Sequence, residues 1–156
     1  MSSINAYLYP VNDLDRISAN IRKEEMTFVT NYNYEFKRNR NEVGKPYGPT
    51  EYAILSITFK SAKDRAKKFY EQLQTNETFN YCLFINANFN NGTLDNSSHN
   101  ILKFKGYIVD IAEDYNYSIK GDVATKYYTT TIQILVTKMV YQDKNGNQKA
   151  LTTNKQ

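Results

Sequence analysis

The sequence has one cysteine, one histidine and no tryptophan among its 156 residues. A single cysteine cannot form an internal disulfide, so cysteine usage gives no sign of an oxidising compartment. Cys82 lies in the apolar run 81–85 and is predicted to be a small buried hydrophobe. His99 has no companion ligand in its polar loop, and a zinc site generally needs three or four. We therefore expect no catalytic residue, no metal site and no cofactor.

No stretch of 18 apolar residues occurs, so the sequence predicts no membrane insertion. The first five residues lack the basic and apolar regions of a signal peptide. We expect a protein made in the cytoplasm that leaves the cell only if another machine carries it.

The motifs of common enzymes are also missing. There is no G-x-S-x-G nucleophile elbow and no glycine-rich phosphate cradle. Glycosidase chemistry needs two carboxylates that face each other across a cleft. The carboxylate pairs of this sequence are instead adjacent or nearly adjacent in polar segments, so they are predicted to be solvated. They are Glu24-Glu25, Asp13/Asp15 and Glu113-Asp114. We expect that the chain is not an enzyme.

The net charge of +4 and the pI of about 9.0 are only mildly basic. The positive residues cluster at 37–40 and 60–68. A nucleic-acid surface usually needs a denser basic face interleaved with exposed aromatic residues. Nucleic-acid binding is therefore not expected, and these clusters are predicted to be solvated faces.

The residues that are abundant favour β-structure, since the chain has 14 tyrosines and eight phenylalanines. Within residues 101–113 the apolar side chains change from one face of the strand to the other at Gly106, and this phase change indicates a β-bulge. Residues 11–25 fit either a short helix or an ordered excursion. Alternation of apolar and polar residues predicts strands near 4–9, 26–37, 51–60, 79–89, 101–113, 115–120 and 126–141.

One helix is predicted over residues 62–75, with Ala66, Phe69 and Leu73 on its apolar stripe. Because most connections are too short for βαβ crossovers, the predicted fold is mainly β: an antiparallel β-barrel or two-sheet sandwich with one α-helix packed on it. Residues 1–141 form the single predicted domain, and the polar tail 142–156 is expected to fray.

Residues 38–50 contain Gly44, Pro46, Gly48 and Pro49, which predicts a loop rather than a helix or a central strand. A connection of about a dozen residues is long for a compact domain, and such loops are usually functional or disordered.

The order of these features resembles the Hcp (TssD) tube proteins of type VI secretion systems, in a divergent branch. The resemblance covers roughly residues 4–141, and two segments, 11–25 and 90–100, are longer than the pattern implies. Its markers are the strand Tyr32–Arg38, the Gly/Pro segment Val43–Pro49, the strand Ala53–Phe59, the single helix, the segment Leu102–Asp110 and the Thr-rich strand Thr129–Lys138.

The resemblance implies a homo-oligomer of six-membered rings that stack into a tube, with effector proteins in the lumen and the spike and sheath proteins of the secretion machine as partners. It also implies that residues 38–50 reach a neighbouring subunit or ring. We expect Tyr47 to be a buried anchor there, and the basic residues to meet Glu113 or Asp114 of a neighbour. The residues expected at this contact are Arg38, Arg40, Lys45, Pro46, Tyr47 and Pro49.

Two other functions remain open from the residues alone. One is a tail-tube-like protein of another contractile particle, and the other is a monomeric β-barrel module that binds carbohydrate or peptide. The outward-facing tyrosines suit either a binding face or a ring interface. They are Tyr52, Tyr115, Tyr117, Tyr127 and Tyr128.

Overall fold

The computed structural model describes residues 5–151 except 41, 45, 61–64, 97 and 98, and gives the backbone alone for 37–40, 46–52, 65 and 66. Its elements in chain order are β1 (Ala6–Val11), a 3-10 helix (Lys23–Glu25), β2 (Thr27–Val29), β3 (Asn31–Arg40), β4 (Pro46–Lys60), α1 (Arg65–Leu73), β5 (Phe79–Ile85), β6 (Phe89–Asn90), β7 (Thr93–Leu94), β8 (Asn100–Lys120), β9 (Val123–Gln142) and β10 (Gln148–Ala150).

The main sheet is antiparallel and has the order β2-β1-β5-β8-β9-β4-β3. Its two end strands, β2 and β3, are consecutive in the chain and separated by Thr30 alone. The amide and the hydroxyl of Thr30 both donate to the Thr58 carbonyl on β4, at 2.8 and 3.1 Å. The same stretch of chain therefore bonds to both ends of the sheet and closes it into a barrel. The predicted mainly β, antiparallel fold with one helix is confirmed.

The barrel interior follows the alternation seen in the sequence. On β4, Leu55, Ile57 and Phe59 are fully buried, and Leu55 and Ile57 lie opposite Ile134 and Ile132 of β9. Because successive side chains on a strand point to opposite faces, every second residue enters the core. Burial of such apolar area is the main term that stabilises the barrel.

A second core lies on the outer face of β5. Tyr81 and Leu83 point into the barrel, whereas Cys82 and Phe84 point outward. The outward pair is covered by residues 12–26 and 86–96, which we call the cover segments. They are joined by backbone bonds from Lys23 to Gly92 and from Leu94 to Ile21, both 2.8 Å long. Residues 11–25 therefore form an ordered excursion whose described helical part is the 3-10 turn.

The helix lies where the sequence predicts it, and of its predicted stripe Phe69 packs on the barrel, whereas the side chain of Ala66 lies outside the described part of the structure. Phe69 is buried, with its ring 5.3 Å from that of Phe59 and 6.1 Å from that of Tyr81. Gln72 is also buried and accepts a hydrogen bond from the Tyr81 hydroxyl. The expectation that Leu73 packs on the sheet is wrong, because its side chain is 36% exposed.

Gly106 lies at the bulge that the phase change predicts. The register shifts between Lys105 and Gly106, and Thr137 on β9 is skipped in the pairing. A Cβ at Gly106 would stand 2.4 Å from the backbone oxygen of Leu135. Only glycine permits this close approach of β8 to β9, so the bulge depends on this residue.

The expectation that the chain frays from residue 142 differs from the structure. Gln142 belongs to β9, and β10 pairs with Val140–Gln142 through a tight turn at Asp143. The amide of Leu151 donates to the Met139 carbonyl at 2.8 Å, and Leu151 packs against the barrel core. This hairpin therefore extends the sheet as far as Leu151.

We predict that Phe69→Ala lowers the free energy of unfolding by about 3–5 kcal/mol, because it leaves a cavity beside Phe59 and Tyr81. Leu73→Ala, four residues along the same helix, should cost well under about 2 kcal/mol, since much of its surface is already in water. Urea unfolding of the two variants measures this difference. Equal losses would show that α1 docks through Leu73 after all.

We predict that Gly106→Ala destabilises the protein by about 1–3 kcal/mol, because the new methyl group collides with a backbone carbonyl that cannot move without shifting β9. Thermal unfolding compared with the wild type measures the loss. Ser118→Ala, on the exposed part of the same strand, is the control and should change little. An unchanged midpoint for Gly106→Ala would contradict the close approach of the two strands.

Candidate assembly surface

Residues 38–40 and 46–50 are paired strands of a β-hairpin rather than parts of the predicted loop. β3 continues to Arg40 and β4 begins at Pro46, with Arg40 opposite Pro46 and Asn39 opposite Tyr47. β9 pairs with β4 only from Ala53 onward. The hairpin beyond that point, formed by residues 37–40 and 46–52, is a two-stranded extension that we call the β3–β4 arm.

The prediction of a loop was wrong because it assumed a partner on both sides of the strand. Pro46 and Pro49 lack an amide hydrogen, which is costly only where a ladder bond is lost. Along the β3–β4 arm, the edge of β4 that faces away from β3 has no paired strand among the described residues. A register shift also leaves Gly48 and Pro49 outside the ladder. The glycine and proline residues are therefore compatible with an edge hairpin.

The site residues predicted from the sequence fall on this arm. The backbones of Arg38 and Arg40 lie on β3, and those of Pro46, Tyr47 and Pro49 lie on β4. Lys45 lies outside the described residues. The backbone thus brings five of the six to one hairpin, and their contacts with a neighbour remain a prediction.

A second extension is built from the two longest strands. β8 and β9 have 21 and 20 residues and pair with each other as far as Lys120 and Val123. β5 pairs with β8 only up to Gly106, and β4 pairs with β9 only from Thr129 onward. Residues 115–120 and 123–128 form what we call the β8–β9 arm, and neither of its outer edges has a paired strand among the described residues.

One face of the β8–β9 arm continues the interior face of the barrel. On β9 the buried residues Thr130, Ile132 and Ile134 are in phase with Tyr128, which is exposed beyond the barrel. Tyr115 lies opposite Tyr128, with ring centroids 5.3 Å apart. The side of these strands that faces the barrel interior therefore carries exposed tyrosines along the arm.

The tyrosines of this arm are exposed, as predicted. Tyr115 and Tyr117 are 55% and 56% exposed, and Tyr128 is also exposed on the same face. Tyr127 is on the opposite face, where the Lys60 ammonium lies 5.0 Å from its ring centre. The predicted Tyr52 lies on the β3–β4 arm, where the structure gives its backbone only. An exposed apolar stripe beside unpaired strand edges is a ready surface for pairing with another chain.

The carboxylates proposed to meet the basic residues are placed at the base of the β8–β9 arm. Glu113 lies opposite Thr130, and Asp114 opposite Thr129. Both carboxylates are exposed, and the Thr130 hydroxyl lies 3.5 Å from Glu113 Oε1. The two carboxylates are therefore accessible to a cation on a neighbouring molecule.

The other residues singled out from the sequence are buried. Cys82 is fully buried, and burial raises the pKa of its thiol to about 12, so it stays protonated at neutral pH. His99 is buried within its loop, with Nδ1 2.9 Å from the Asp95 carbonyl and its ring edge-on to Phe84. In the described part of the chain, no three His, Cys, Asp or Glu side chains cluster as metal ligands would.

Over the same residues, no helix has both the length and the apolar character needed to cross a membrane.

Comparison with known proteins finds similar folds among solved structures but no match by sequence. No family model matches the sequence. No curated protein matches it either. The mainly β fold with a single short helix is, however, shared by solved structures over nearly the whole chain.

These structures are Hcp proteins. One, described as an Hcp protein, has a TM-score of 0.62 at 11% identity and covers 96% of this chain and 98% of its own. Hcp1 from Flavobacterium johnsoniae has a TM-score of 0.59 at 18% identity, covering 94% and 98%. The secreted protein Hcp3 from Pseudomonas aeruginosa has a TM-score of 0.57 at 12% identity, covering 98% and 100%. The chain therefore has the Hcp fold, which confirms the resemblance noted in the sequence at the level of the fold.

Proposed function

We propose that this protein is a structural tube subunit of a type VI secretion system and that it forms six-membered rings that stack into a tube. The observation that carries the proposal is the pair of β-arms that extend from a barrel of the Hcp fold and whose outer edges have no paired strand among the described residues. A closed barrel removes strand edges, so any remaining edge marks a place where another chain can add.

The number of arms matches what a tube requires. A ring forms when one heterologous contact is repeated until it closes, and a tube needs a second, axial contact. The β8–β9 arm offers exposed tyrosines and two unpaired edges for one contact. The β3–β4 arm, which carries the residues expected from the resemblance, offers the other. Two separate arms therefore supply the two contacts.

The role is structural rather than catalytic. Cys82 and His99 are both buried, and the His99 ring packs edge-on against Phe84. By the resemblance, the tube carries effector proteins in its lumen and meets spike and sheath proteins. Synthesis in the cytoplasm and export by the secretion machine complete the proposal.

Removal of the β3–β4 arm should weaken assembly while leaving the barrel folded. Lys37 and Tyr52 lie directly opposite each other, so an Asn-Gly turn in place of residues 38–51 can join them. The barrel pairing begins at Ala53 and is untouched. We expect native mass spectrometry over a concentration series to show rings or ring stacks that dissociate at higher concentration than the wild type.

Circular dichroism and thermal unfolding of this shortened protein are the control for the fold. Unchanged assembly in a folded variant would show that the arm makes no contact between subunits or rings.

Replacement of the exposed tyrosines should weaken the contact made by the β8–β9 arm. The double variant Tyr115→Thr/Tyr117→Thr keeps β-propensity but removes two exposed aromatic rings. Aromatic residues at the centre of an interface often contribute about 2 kcal/mol or more, so dissociation constants should rise about tenfold or more. Analytical ultracentrifugation measures the change.

Tyr127→Thr is the matched control, since it removes the same side chain from the opposite face of the same arm. It should have the smaller effect. If the wild type stays monomeric at high micromolar concentration, the monomeric β-barrel binding module becomes the better account of the exposed tyrosines.

A further inference from the structure

A polar pocket of about 370 Å³ lies where the cover segments meet the outer face of the barrel. Its volume is at the lower end of the range of small-ligand pockets, about 300–1,000 Å³. Ile17, Phe84 and Ile101 supply apolar walls. His99, Lys103 and Gln142 supply polar ones, and Gln148 of β10 closes one side. The two segments that exceed the Hcp pattern thus help to build this pocket.

The pocket is lined by a lysine, Lys103, whose side chain is largely buried. This residue is only 7% exposed and lies on β8 opposite Cys82. Among the described residues, no carboxylate lies within ion-pair distance of its ammonium group, and the one ion pair joins Arg22 and Glu24. The stem of Lys103 is buried, whereas its ammonium group is accessible from the pocket, so it can pair with an anion that enters there.

The neighbouring polar groups have defined orientations. The Gln148 amide donates to Gln142 Oε1 at 2.8 Å, which leaves the Gln142 amide hydrogens to donate elsewhere. His99 Nδ1 is 2.9 Å from the Asp95 carbonyl and must donate to it, so Nε2 is the acceptor of the neutral ring. Burial lowers the pKa of His99, which keeps the ring neutral at pH 7.

We propose that this pocket binds a carboxylate that carries an apolar group and an adjacent N–H or O–H donor. Lys103 and the Gln142 amide bind the carboxylate, His99 Nε2 accepts the adjacent donor, and Phe84 and Ile101 contact the apolar group. Two sources have this chemistry: the C-terminal residue of a peptide and a free 2-hydroxy acid. The proposal does not depend on ring or tube formation.

The charge of the pocket favours a carboxylate over a phosphate. Among the described residues, Lys103 is the one cation that lines it, and Asp15 also belongs to its wall. A phosphate near neutral pH carries up to two negative charges and usually meets several cations or a row of backbone amides. The Asp15 carboxylate repels an anion, and this repulsion is larger for a phosphate with two negative charges than for a carboxylate with one.

The test is a titration of the full-length protein, observed by amide chemical shifts. The probes are N-acetyl-phenylalanine as a peptide C-terminus, phenyllactate as a 2-hydroxy acid, and N-acetyl-phenylalanine amide, which lacks the carboxylate. We expect the two acids to shift amides of residues 15–19, 99–103, 142 and 148, and the amide to bind at least about tenfold more weakly. The tighter acid identifies the source.

Lys103→Met keeps the length of the side chain and removes its charge, and it should weaken both acids by about tenfold or more. Lys105→Met is the matched control: Lys105 lies on the same strand and face but is exposed and outside the pocket. Binding to Lys103→Met as tight as to the wild type would overturn the proposal. So would equal binding of acid and amide, or no shift of these amides at millimolar acid.

Discussion

The two hydrogen bonds from Thr30 to the Thr58 carbonyl hold the point where the sheet closes on itself. On one side of Thr30 the chain pairs with β1, and on the other it pairs with β4. Once the barrel is closed there, the strand edges that lack a paired strand among the described residues lie on the two arms, on the outer edge of β3 and on β10. The positions of both arms therefore follow from strand lengths: the four strands that build them run beyond the region where the barrel supplies partners.

The outer face of the barrel is organised around β5, which is buried on both sides. Its inward residues belong to the barrel core, and Cys82 and Phe84 belong to the second core beneath the cover segments. This arrangement protects one side of the barrel from solvent and leaves the arms exposed. It also places the buried residue Lys103 opposite Cys82, at the edge of the cover segments, where a pocket remains open.

Local patterns predicted those parts of the fold in which neighbours are present on both sides. The alternation at 53–59 identifies the core of β4, and the phase change at Gly106 identifies the bulge. The β3–β4 arm was missed because proline rules describe central strands, and an edge strand tolerates proline. Leu73 was assigned to the core because the spacing of apolar residues along a helix does not show which of them contact the sheet. In the structure Gln72 is buried against the barrel and Leu73 is exposed. The β8–β9 arm requires knowledge of which strands pair, which a single sequence does not contain.

We propose that the unpaired edges of the arms are covered by other copies of this chain. Amide hydrogen exchange at increasing protein concentration tests it directly. We expect the amides of residues 115–120 that face away from β9 to exchange more slowly as concentration rises, because they become paired across a subunit boundary, while the buried amides of β4 and β5 stay protected throughout. Exchange of these outward amides that stays fast and independent of concentration, up to the highest concentration at which the protein is soluble, would contradict this proposal.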